Sequence, residues 1–359
     1  MLSKKLRVPA KAAQKVLWKG PCVDGVTQSM LNSFLVCRER FRVKTILGLA
    51  PLDEFNHRIE YGSMWHVCEE ALAANKPWEE PLKEYAAKLC ARYPLQQEQV
   101  VKWYNVCNVQ FPEYVAFWAN HRDTRQRKPL MQEVAFRVPY YLPVLDKTVI
   151  LRGKWDSVAL IGKNAIYLQE NKTKGQIDEG QIKRQLSHDL QTMLYLIAIK
   201  EYAKAAIRGL RTTPIKGIRY NVIRRPLSGG KGNIRRHKAT KTKPEETEKA
   251  YYARLRGIIA EEPATYFMRW QVEVSPQDIA RFQERTLDPL LMQLCDWYDW
   301  VTSRVGQQKP FANPIHWQHP YGTYNVLNEG GSTDYDEYLA SGSASGLQRA
   351  KTLFPELEE

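Results

Sequence analysis

The sequence predicts an α/β fold in which a central mixed sheet is flanked by helices. Three strand-like runs, at 131–141, 148–159 and 164–171, follow one another along the chain. A helical pattern over 179–203, with apolar residues every three to four positions, separates them from a fourth strand-like run at 215–224. Strands arranged around a helical crossover fit a mixed sheet rather than a purely antiparallel one.

The chain before these strands is mainly helical, from residue 27 to residue 120. The periodic segments are Ser29–Arg38, Ser63–Ala74, Pro81–Ala91 and Gln96–Ala119. The last of them is rich in aromatic residues, a pattern that is far more typical of core packing than of base stacking. We therefore expect a helical insertion ahead of the sheet, with an aromatic core.

These patterns divide the chain into an arm, one large domain and a tail. We expect an N-terminal arm at 1–26, a single domain at 27–325 and a mobile tail, rich in Ser, Gly and acids, at 326–359. Within the domain, the expected parts are a helical part at 27–120, a core at 130–225, a basic loop at 226–245, and a C-terminal strand and helix at 246–310. Pro276 directly after Ser275 is typical of the start of that last helix.

The charge of the chain indicates a polyanionic partner. The formal net charge is +14, and between Glu201 and Glu245 the chain carries no acid but thirteen Lys and Arg residues. A basic loop is often only a solvated linker, but beside a catalytic site it favours phosphate contact. The candidate contacts are Arg224, Arg225, Lys231, Arg235, Arg236 and Lys238.

Several classes of protein are disfavoured by what the sequence lacks. No apolar run approaches the roughly 20 residues that cross a bilayer, and no apolar signal core follows the basic N-terminus. The six cysteines have no regular spacing, which favours reduced thiols and a cytoplasmic location. No Gly-x-x-x-x-Gly-Lys-Ser/Thr loop is present, so we expect no ATPase activity in this chain.

Two acids and a lysine stand at the ends of two neighbouring strand-like runs. Asp156 follows the apolar residues Val149, Ile150 and Leu151 in the run at 148–159. Glu170 and Lys172 stand at the end of the run at 164–171. Positions two apart on a strand face the same way, so a hairpin would bring all three side chains to one point. Carboxylates can hold Mg²⁺ or Mn²⁺, and an ammonium group can steady developing negative charge.

Two further pairs of polar residues accompany this group. Gln191 and Tyr195 are one helical turn apart and therefore share a helix face. Gly62 precedes His66 by four positions at the start of another helical pattern. Each pair alone is common on ordinary helices, but all of these elements occur here in one order along the chain.

The order Asp156, Glu170-x-Lys172 resembles the catalytic core of the PD-(D/E)XK nuclease superfamily. With the other two pairs it resembles the RecB-like exonuclease subgroup, of the phage type and related to CRISPR-adaptation nucleases. The resemblance implies a restriction-endonuclease-like core and Mg²⁺ or Mn²⁺ as cofactor. The metal ligands that it implies are His66, Asp156, Glu170 and the carbonyl of Asn171, and the catalytic residues are Asp156, Glu170, Lys172, Gln191 and Tyr195.

A fourth element is similar to the segment that opens many RecB-like nucleases. It runs from Ser29 through Cys37 to Phe41. In some relatives that cysteine joins three C-terminal cysteines around an iron–sulfur cluster, which requires four thiolates. Here the segment 311–317 contains no cysteine, and the last cysteine of the chain is Cys295. We therefore expect no iron–sulfur cluster and a buried, apolar role for Cys37.

The resemblance implies a metal-dependent DNA exonuclease that acts in recombination, replication or repair. DNA is the expected partner, and any helicase or recombinase would be a separate chain. Two alternatives stay open at this point: a non-catalytic DNA-binding or assembly protein on a nuclease scaffold, and an RNA-processing nuclease. Digestion polarity, strand preference and oligomeric state are not readable from the sequence.

Overall fold

A computed structural model describes residues 16–52, 54–162, 165–186, 189–206, 214–227, 234–303 and 343–354, with Tyr338 and Leu357. The α-helices are α1 Gln28–Val36, α2 Arg38–Phe41, α3 His57–Ala73, α4 Glu79–Arg92, α5 Gln97–Ala119, α6 Arg122–Arg125, α7 Glu179–Leu186, α8 Leu190–Ala206, α9 Glu248–Glu261, α10 Pro263–Tyr266, α11 Pro276–Phe282 and α12 Asp288–Thr302. The strands are β1 Leu49–Pro51, β2 Arg127–Leu142, β3 Lys147–Ile161, β4 Ala165–Lys174, β5 Ile215–Arg224, β6 Phe267–Glu273 and β7 Leu347–Arg349. Two π-helical turns cover Arg42–Ile46 and Gln283–Leu287, and a 3₁₀ turn covers Pro94–Gln96.

The main sheet has five strands in the order β2-β3-β4-β5-β6. Strands β3 and β4 pair antiparallel, β4 and β5 pair parallel, and β5 and β6 pair antiparallel. The helices α7 and α8 connect the two parallel strands. The predicted mixed sheet flanked by helices, the restriction-endonuclease-like architecture, is therefore confirmed, as is the hairpin that joins the strands of Asp156 and Glu170.

The central strands are buried because neighbours cover both faces of the sheet. Residues 217–224 of β5 are buried without interruption, as are residues 168–171 of β4. Near-continuous burial is typical of parallel strands that have helices on both sides. Polar residues within such strands must find partners inside the protein, and this condition shapes the site described below.

The aromatic stripe of α5 is core, as the sequence predicts. Trp103, Phe111, Tyr114 and Trp118 are buried in one apolar cluster with residues of α3, α4 and α9. Trp65 of α3 packs edge-on against both Phe111 and Tyr114, with ring centroids 5.1 and 5.2 Å away. This packing anchors α3, the helix that carries His66.

The boundaries of two predicted helices differ from those observed. Helix α3 begins at His57 rather than at residue 63, because the Asn56 side chain caps it by accepting the Arg58 N–H at 3.0 Å. The predicted helix at 179–203 is two helices, α7 and α8, and residues 187 and 188 between them lie outside the described part of the chain. Across the described residues, no helix combines the length and apolar character that a membrane span requires.

The chain forms two compact units. One comprises residues 53–138 and 153–287, and it contains every described residue of the predicted site. The other comprises residues 1–52, 139–152 and 288–359. The predicted domain boundaries stay a prediction.

The second unit has an aromatic core and a small sheet of its own. Trp18 packs edge-on against Phe41 and Tyr298, and Phe34 packs against Trp297. Strand β1 pairs antiparallel with β7, which lies within the segment predicted to be a mobile tail. Trp18, in the predicted N-terminal arm, is fully buried. The parts of the arm and tail that the structure describes therefore include packed residues.

Candidate active site

The sheet brings Asp156, Glu170 and Lys172 together. In the β3–β4 hairpin, Ser157 lies opposite Gln169, so the two acids are neighbours on adjacent strands. The backbone N–H of Asn171 donates to Asp156 Oδ2 at 2.7 Å, which fixes the Asp156 carboxylate against β4. Both carboxylates are almost inaccessible: the Asp156 side chain is 11% exposed and that of Glu170 is 1% exposed.

Glu170, Lys172 and Gln191 form a hydrogen-bonded group that we call the lysine cluster. Lys172 Nζ donates to Gln191 Oε1 at 2.7 Å and lies 3.4 Å from Glu170 Oε2. Gln191 Nε2 donates to Glu170 Oε1 at 3.1 Å. Because the amide both accepts from the lysine and donates to the carboxylate, Gln191 orients the two charged groups relative to each other.

Tyr195 supports the lysine cluster from the next turn of α8. Burial raises the pKa of its hydroxyl, and polar interactions with the Gln191 side chain and the Lys154 backbone oppose that rise. Its ring packs edge-on against Phe136 at 5.4 Å. A Cβ at Gly153 would lie 2.7 Å from Phe136 and 2.8 Å from Tyr195, so only glycine permits this packing. The structure therefore places Gln191 and Tyr195 side by side at the predicted site.

His66, Glu133 and Asp156 form a second group, which we call the imidazole cluster. His66 Nδ1 lies 3.0 Å from Glu133 Oε1 and 3.7 Å from Asp156 Oδ1. The three residues offer ligand atoms that all lie within 4.8 Å of one another. Lys154 Nζ lies 3.2 Å from the other oxygen of Glu133. Asp156 therefore links the two clusters. It belongs to the imidazole cluster, and its backbone partner Asn171 lies between Glu170 and Lys172 on β4.

Glu133 is a site residue that the sequence patterns missed. It has a φ of 49° within β2, a conformation that costs a non-glycine residue on the order of 1–2 kcal/mol. The buried positions of β2 are odd-numbered before Glu133, as at Met131, and even-numbered after it, as at Phe136 and Val138, so the alternation changes phase. Such a phase change is typical of a bulge, which redirects a side chain. No spacing rule identifies Glu133, because only the folded strand reveals the bulge.

Burial and mutual charge shift the pKa values of the acids. Burial and the nearby Asp156 charge together raise the pKa of Glu170 to about 8, although the Lys172 charge opposes the shift. Burial also raises the pKa of Asp156, which the His66 charge counteracts. Two buried carboxylates without a full complement of positive charge bind protons or cations readily. A divalent cation is a natural counterion for such a pair.

The buried acids also shift the pKa values of the two basic groups, His66 and Lys172. Burial alone would lower the pKa of His66, but Asp156 and Glu133 outweigh it and raise that pKa to about 9. Burial would likewise lower the pKa of Lys172, yet Glu170 and Asp156 raise it above its usual value. Lys172 is therefore a fixed positive charge at neutral pH.

The donor set fits a divalent cation. One imidazole nitrogen and two carboxylates converge within 4.8 Å in the imidazole cluster, and the buried Glu170 carboxylate is electrostatically coupled to it. Carboxylate oxygens suit Mg²⁺ and Mn²⁺, and an imidazole ligand favours Mn²⁺. Of the predicted ligands, His66 and Asp156 share the cluster with Glu133, whereas Glu170 contacts Lys172 and Gln191.

Asn171, predicted to offer its carbonyl, has a side chain whose oxygen is engaged in the sheet. Its Oδ1 accepts from Asn221 Nδ2 at 2.9 Å, and Arg269 Nε in turn donates to Asn221 Oδ1 at 2.7 Å. These three residues are cross-strand partners on β4, β5 and β6. The side chain therefore helps to hold the strands in register, and a metal contact of its carbonyl stays a prediction.

The predicted basic residues occupy different environments. Arg224 is buried and packs over the ring of Tyr266 at 5.4 Å, and Arg225 is buried and donates to the Thr173 carbonyl at 3.0 Å. Arg235, Arg236 and Lys238 lie on an exposed segment after β5. Lys231 lies outside the described residues.

The exposed basic segment is anchored at its base. Arg254 Nε and Nη2 both contact the Glu246 carboxylate, at 2.7 and 2.8 Å, and Arg254 Nη2 also donates to the Arg235 carbonyl at 2.9 Å. Arg236 Nε donates to the Glu246 carbonyl. The described part of the basic loop is therefore held against α9 while residues 235–243 remain exposed.

Cys37 is fully buried, as expected, and its sulfur accepts the Arg40 N–H at 3.4 Å. Burial raises the pKa of its thiol. Residues 311–317, where the iron–sulfur cysteines of some relatives would fall, lie outside the described part of the chain. Cys37 is thus a packed N-cap residue of the short helix α2.

Comparison with known families agrees with this geometry. The family model described as the PD-(D/E)XK nuclease superfamily matches residues 26–276, more than half of the chain. No curated protein matches the chain. The chain belongs to the PD-(D/E)XK nuclease superfamily.

Proposed function

We propose that this PD-(D/E)XK nuclease is a metal-dependent deoxyribonuclease, an exonuclease of the RecB-like subgroup. The observation that carries the proposal is the convergence of Asp156, Glu170 and Lys172 on adjacent strands, next to His66 and Glu133. This arrangement combines ligands for a divalent cation with a fixed positive charge. Metal-dependent hydrolysis of a phosphodiester bond can use both.

His66, Glu133 and Asp156 would hold the cation, with Glu170 beside them. A divalent cation bound there would polarise the scissile phosphate and lower the pKa of the attacking water. The strained backbone at Glu133 supports a role of this kind, since a protein retains such strain where the position of a side chain matters.

Lys172 would contact a non-bridging oxygen of the scissile phosphate. Its ammonium group is held by Gln191 and Glu170, so it needs no rearrangement to face developing negative charge. Gln191 maintains this orientation, and Tyr195 would support Gln191 from the next turn of α8. In this scheme Lys172 acts on the phosphate directly, whereas Gln191 and Tyr195 act by positioning it.

DNA is the proposed substrate because the chain is strongly basic. The net charge is +14, and the exposed Arg235, Arg236 and Lys238 provide positive charge close to α9. Lysine and arginine contacts to phosphates supply most of the affinity for any nucleic acid, whatever its sequence. We assign these three residues to the DNA backbone, together with Arg225 and, in the undescribed part of the loop, Lys231.

Digestion of labelled nucleic acids tests the proposal. End-labelled linear duplex DNA, closed circular DNA and RNA of matched length are incubated with the protein in Mg²⁺, Mn²⁺ or EDTA. An exonuclease degrades linear DNA, spares the closed circle and requires a divalent cation. The Lys172→Ala variant serves as the catalytic control, since it removes the ammonium group without touching the imidazole cluster.

Each alternative class predicts a different result in the same experiment. Cleavage of RNA but not DNA identifies an RNA-processing nuclease. DNA binding without cleavage by the wild type, and without Mn²⁺-dependent thermal stabilisation, identifies a non-catalytic protein on a nuclease scaffold. Nicking of closed circles would replace the exonuclease assignment with an endonuclease.

We place the activity in DNA recombination, replication or repair, and in a phage or mobile element. The support is the RecB-like order of motifs from Gly62 to Tyr195. Because the sequence contains no ATP-binding loop of the Gly-x-x-x-x-Gly-Lys-Ser/Thr type, a helicase or recombinase partner would be a separate chain. Co-purification of the tagged nuclease with such a motor protein tests this assignment.

A further inference from the structure

Three cationic residues lie around the C-terminal end of β4, beyond Lys172, and Arg225 interacts electrostatically with each of the other two. They are Arg58 at the start of α3, Lys174 at the end of β4 and Arg225 directly after β5; we call them the cation cluster. None of them belongs to the lysine cluster or to the imidazole cluster. The candidate metal site leaves Arg58 and Lys174 unexplained, and Arg225 has so far only been assigned to the DNA backbone in general.

Backbone geometry brings the ends of the two strands together. Lys174 and Arg224 are register partners, and the Arg225 N–H donates to the Lys174 carbonyl at 2.8 Å. The Arg225 guanidinium donates through Nη1 to the Thr173 carbonyl at 3.0 Å and to the Thr173 hydroxyl at 3.2 Å. Arg225 is therefore fixed across the end of β4.

Helix α3 brings the third member. A Cβ on Gly62 would lie 3.6 Å from the Thr173 hydroxyl, so the first turns of α3 pass directly over the end of β4. Arg58 lies one turn before Gly62 on this helix and is exposed. Its neighbour His57 stacks on Trp103 of α5, with ring centroids 4.9 Å apart, which fixes the start of the helix.

Like charges act on one another within the cation cluster. Burial lowers the pKa of Arg225, and the Arg58 charge lowers it further. Burial also lowers the pKa of Lys174, assisted by Lys172 and Arg225, while the Asp189 charge opposes the shift. The pKa of His57 is lowered by burial and then by Arg225, Arg58 and Lys102. Like charges held this close destabilise one another until an anion binds.

A structural role accounts for only one of the three side chains. Arg225 has carbonyl and hydroxyl partners and could serve simply to close the end of β4. Within the described part of the chain, however, neither Arg58 nor Lys174 takes part in an ion pair. Both are accessible to a ligand, since Arg58 is exposed and Lys174 is half-buried.

The distance between Lys174 and Lys172 indicates which class of anion would bind to the cation cluster. Lys172 and Lys174 are two residues apart on β4, so their side chains leave the same face about 7 Å apart. Neighbouring phosphates along one nucleic-acid strand are separated by a comparable distance. A strand whose scissile phosphate contacts Lys172 would therefore present its next phosphate to Lys174.

We propose that Arg58, Lys174 and Arg225 form a phosphate subsite that holds the DNA phosphate next to the one being cleaved. The inference rests on the proposed function, since it takes Lys172 as the residue at the scissile phosphate. The ligand is a phosphate ester of DNA, either an internal diester or a terminal monophosphate. The subsite positions the substrate and takes no part in the chemical step.

The test is DNA binding by the full-length Arg58→Gln/Lys174→Gln double variant in EDTA, where cleavage is blocked. Arg225 is left in place because its loss could disturb the end of β4. Affinity for a short duplex should fall about tenfold, as for the loss of hydrogen bonds to a charged group. The slope of log affinity against log salt should become shallower by about 1, the value for one phosphate contact.

Lys216→Gln provides the matched control. Lys216 is exposed on β5 and precedes Arg225 by nine residues, which places it roughly 30 Å away along the strand. It removes one positive charge, against two in the double variant, from the same unit of the protein. Thermal unfolding of all variants confirms that each one folds.

The outcomes separate the subsite from the function on which it rests. A double variant that binds like Lys216→Gln, with an unchanged salt slope, overturns the subsite while the nuclease assignment stands. Wild-type protein that neither binds nor cleaves DNA overturns both. Weaker binding to closed circular DNA identifies an internal phosphate; weaker binding confined to DNA with terminal phosphates identifies a terminal one.

Steady-state kinetics provide a second readout. In the presence of the activating metal, the double variant should raise KM about tenfold and leave kcat nearly unchanged, because the subsite binds substrate and transition state alike. A fall in kcat with unchanged KM would contradict a positioning role and would move these residues into the catalytic machinery.

Discussion

The lysine cluster and the imidazole cluster are built in different ways from the same sheet. The lysine cluster takes its residues from β4 and from α8, the second helix after it, so Glu170, Lys172 and Gln191 are close in sequence. The imidazole cluster takes His66 from α3, Glu133 from β2 and Asp156 from β3. One is local along the chain, whereas the other exists only when three distant elements have assembled.

The two clusters therefore position their side chains by different means. The pleat of β4 alone places Glu170 and Lys172 on one face, and one hydrogen-bonded amide aligns them. The imidazole cluster depends on the packing of α3 and on a strained residue in β2. We therefore expect the lysine cluster to control the rate of cleavage and the imidazole cluster to control metal affinity.

The largest expected effect is that of Lys172→Ala. Cleavage should fall at least about a thousandfold, because a preorganised charge at the scissile phosphate is lost. Folding and DNA binding should remain nearly intact, as measured by thermal unfolding and by binding in EDTA. Lys216→Ala is the matched control, and near-normal cleavage by Lys172→Ala would refute the role of the lysine cluster.

Glu133→Gln tests the other cluster. Removing one carboxylate charge from the group with His66 and Asp156 should weaken Mn²⁺ binding about 10–100-fold, with little change in DNA affinity. Isothermal titration of metal into the protein without DNA measures this directly. Glu80→Gln, an exposed acid on α4, should bind Mn²⁺ like the wild type. Equal affinities for both variants would show that Glu133 is not part of the metal site.

Metal affinity should rise with pH between about 6 and 8. Without metal, His66 has a pKa of about 9 and Glu170 one of about 8, so both hold protons at neutral pH. A cation must displace these protons, and each one released strengthens binding about tenfold per pH unit below the pKa. Titrations in buffers of different ionisation enthalpy count the protons. An affinity that stays constant from pH 6 to 8 would contradict this charge arrangement.

His66 should also set the choice of metal. Because imidazole is a better ligand for Mn²⁺ than for Mg²⁺, cleavage by the wild type with Mn²⁺ should at least equal that with Mg²⁺. His66→Ala should reduce the activity with Mn²⁺ more than the activity with Mg²⁺. The ratio of the two rates at saturating metal is the measurement, and an unchanged ratio would exclude His66 as a ligand.

Tyr195→Phe should have the smallest effect. The ring keeps its packing against Phe136, and only the polar interactions of the hydroxyl with Gln191 and the Lys154 backbone are lost. A hydrogen bond of this kind is worth about 1 kcal/mol, so cleavage should fall roughly fivefold. Tyr141→Phe, which removes an exposed hydroxyl bonded to Asp146, should leave cleavage unchanged. A loss as large as that of Lys172→Ala would mean that Tyr195 contacts the substrate.

Much of the fold, and the lysine cluster of the site, follow from short-range patterns in the sequence. The β3–β4 hairpin, the neighbouring positions of Gln191 and Tyr195, and the aromatic core of α5 are all visible as periodicities of two or 3.6 residues. Such patterns survive into the structure because they record which face of an element is buried. The boundaries of α3 were less visible, since its start depends on a single cap at Asn56.

Other features have no counterpart in local spacing. Arg224 reads as one more basic residue beside Arg225, yet it packs over Tyr266 in the interior. Glu133 appears in the sequence as a single acid in a strand, yet its positive φ accompanies a side chain that contacts His66. In both cases the deciding contacts come from elements far away in the chain.

The sequence by itself determined the class of fold, the strands that carry Asp156, Glu170 and Lys172, and the chemistry that those groups can perform. Tertiary structure alone decided that Glu133 joins His66 and Asp156, and that Arg58 and Lys174 meet Arg225 at the end of the sheet. The physical reason is the separation along the chain of the residues that determine each feature. Side-chain alternation follows from the covalent geometry of one strand, whereas a cluster drawn from several elements depends on how those elements pack.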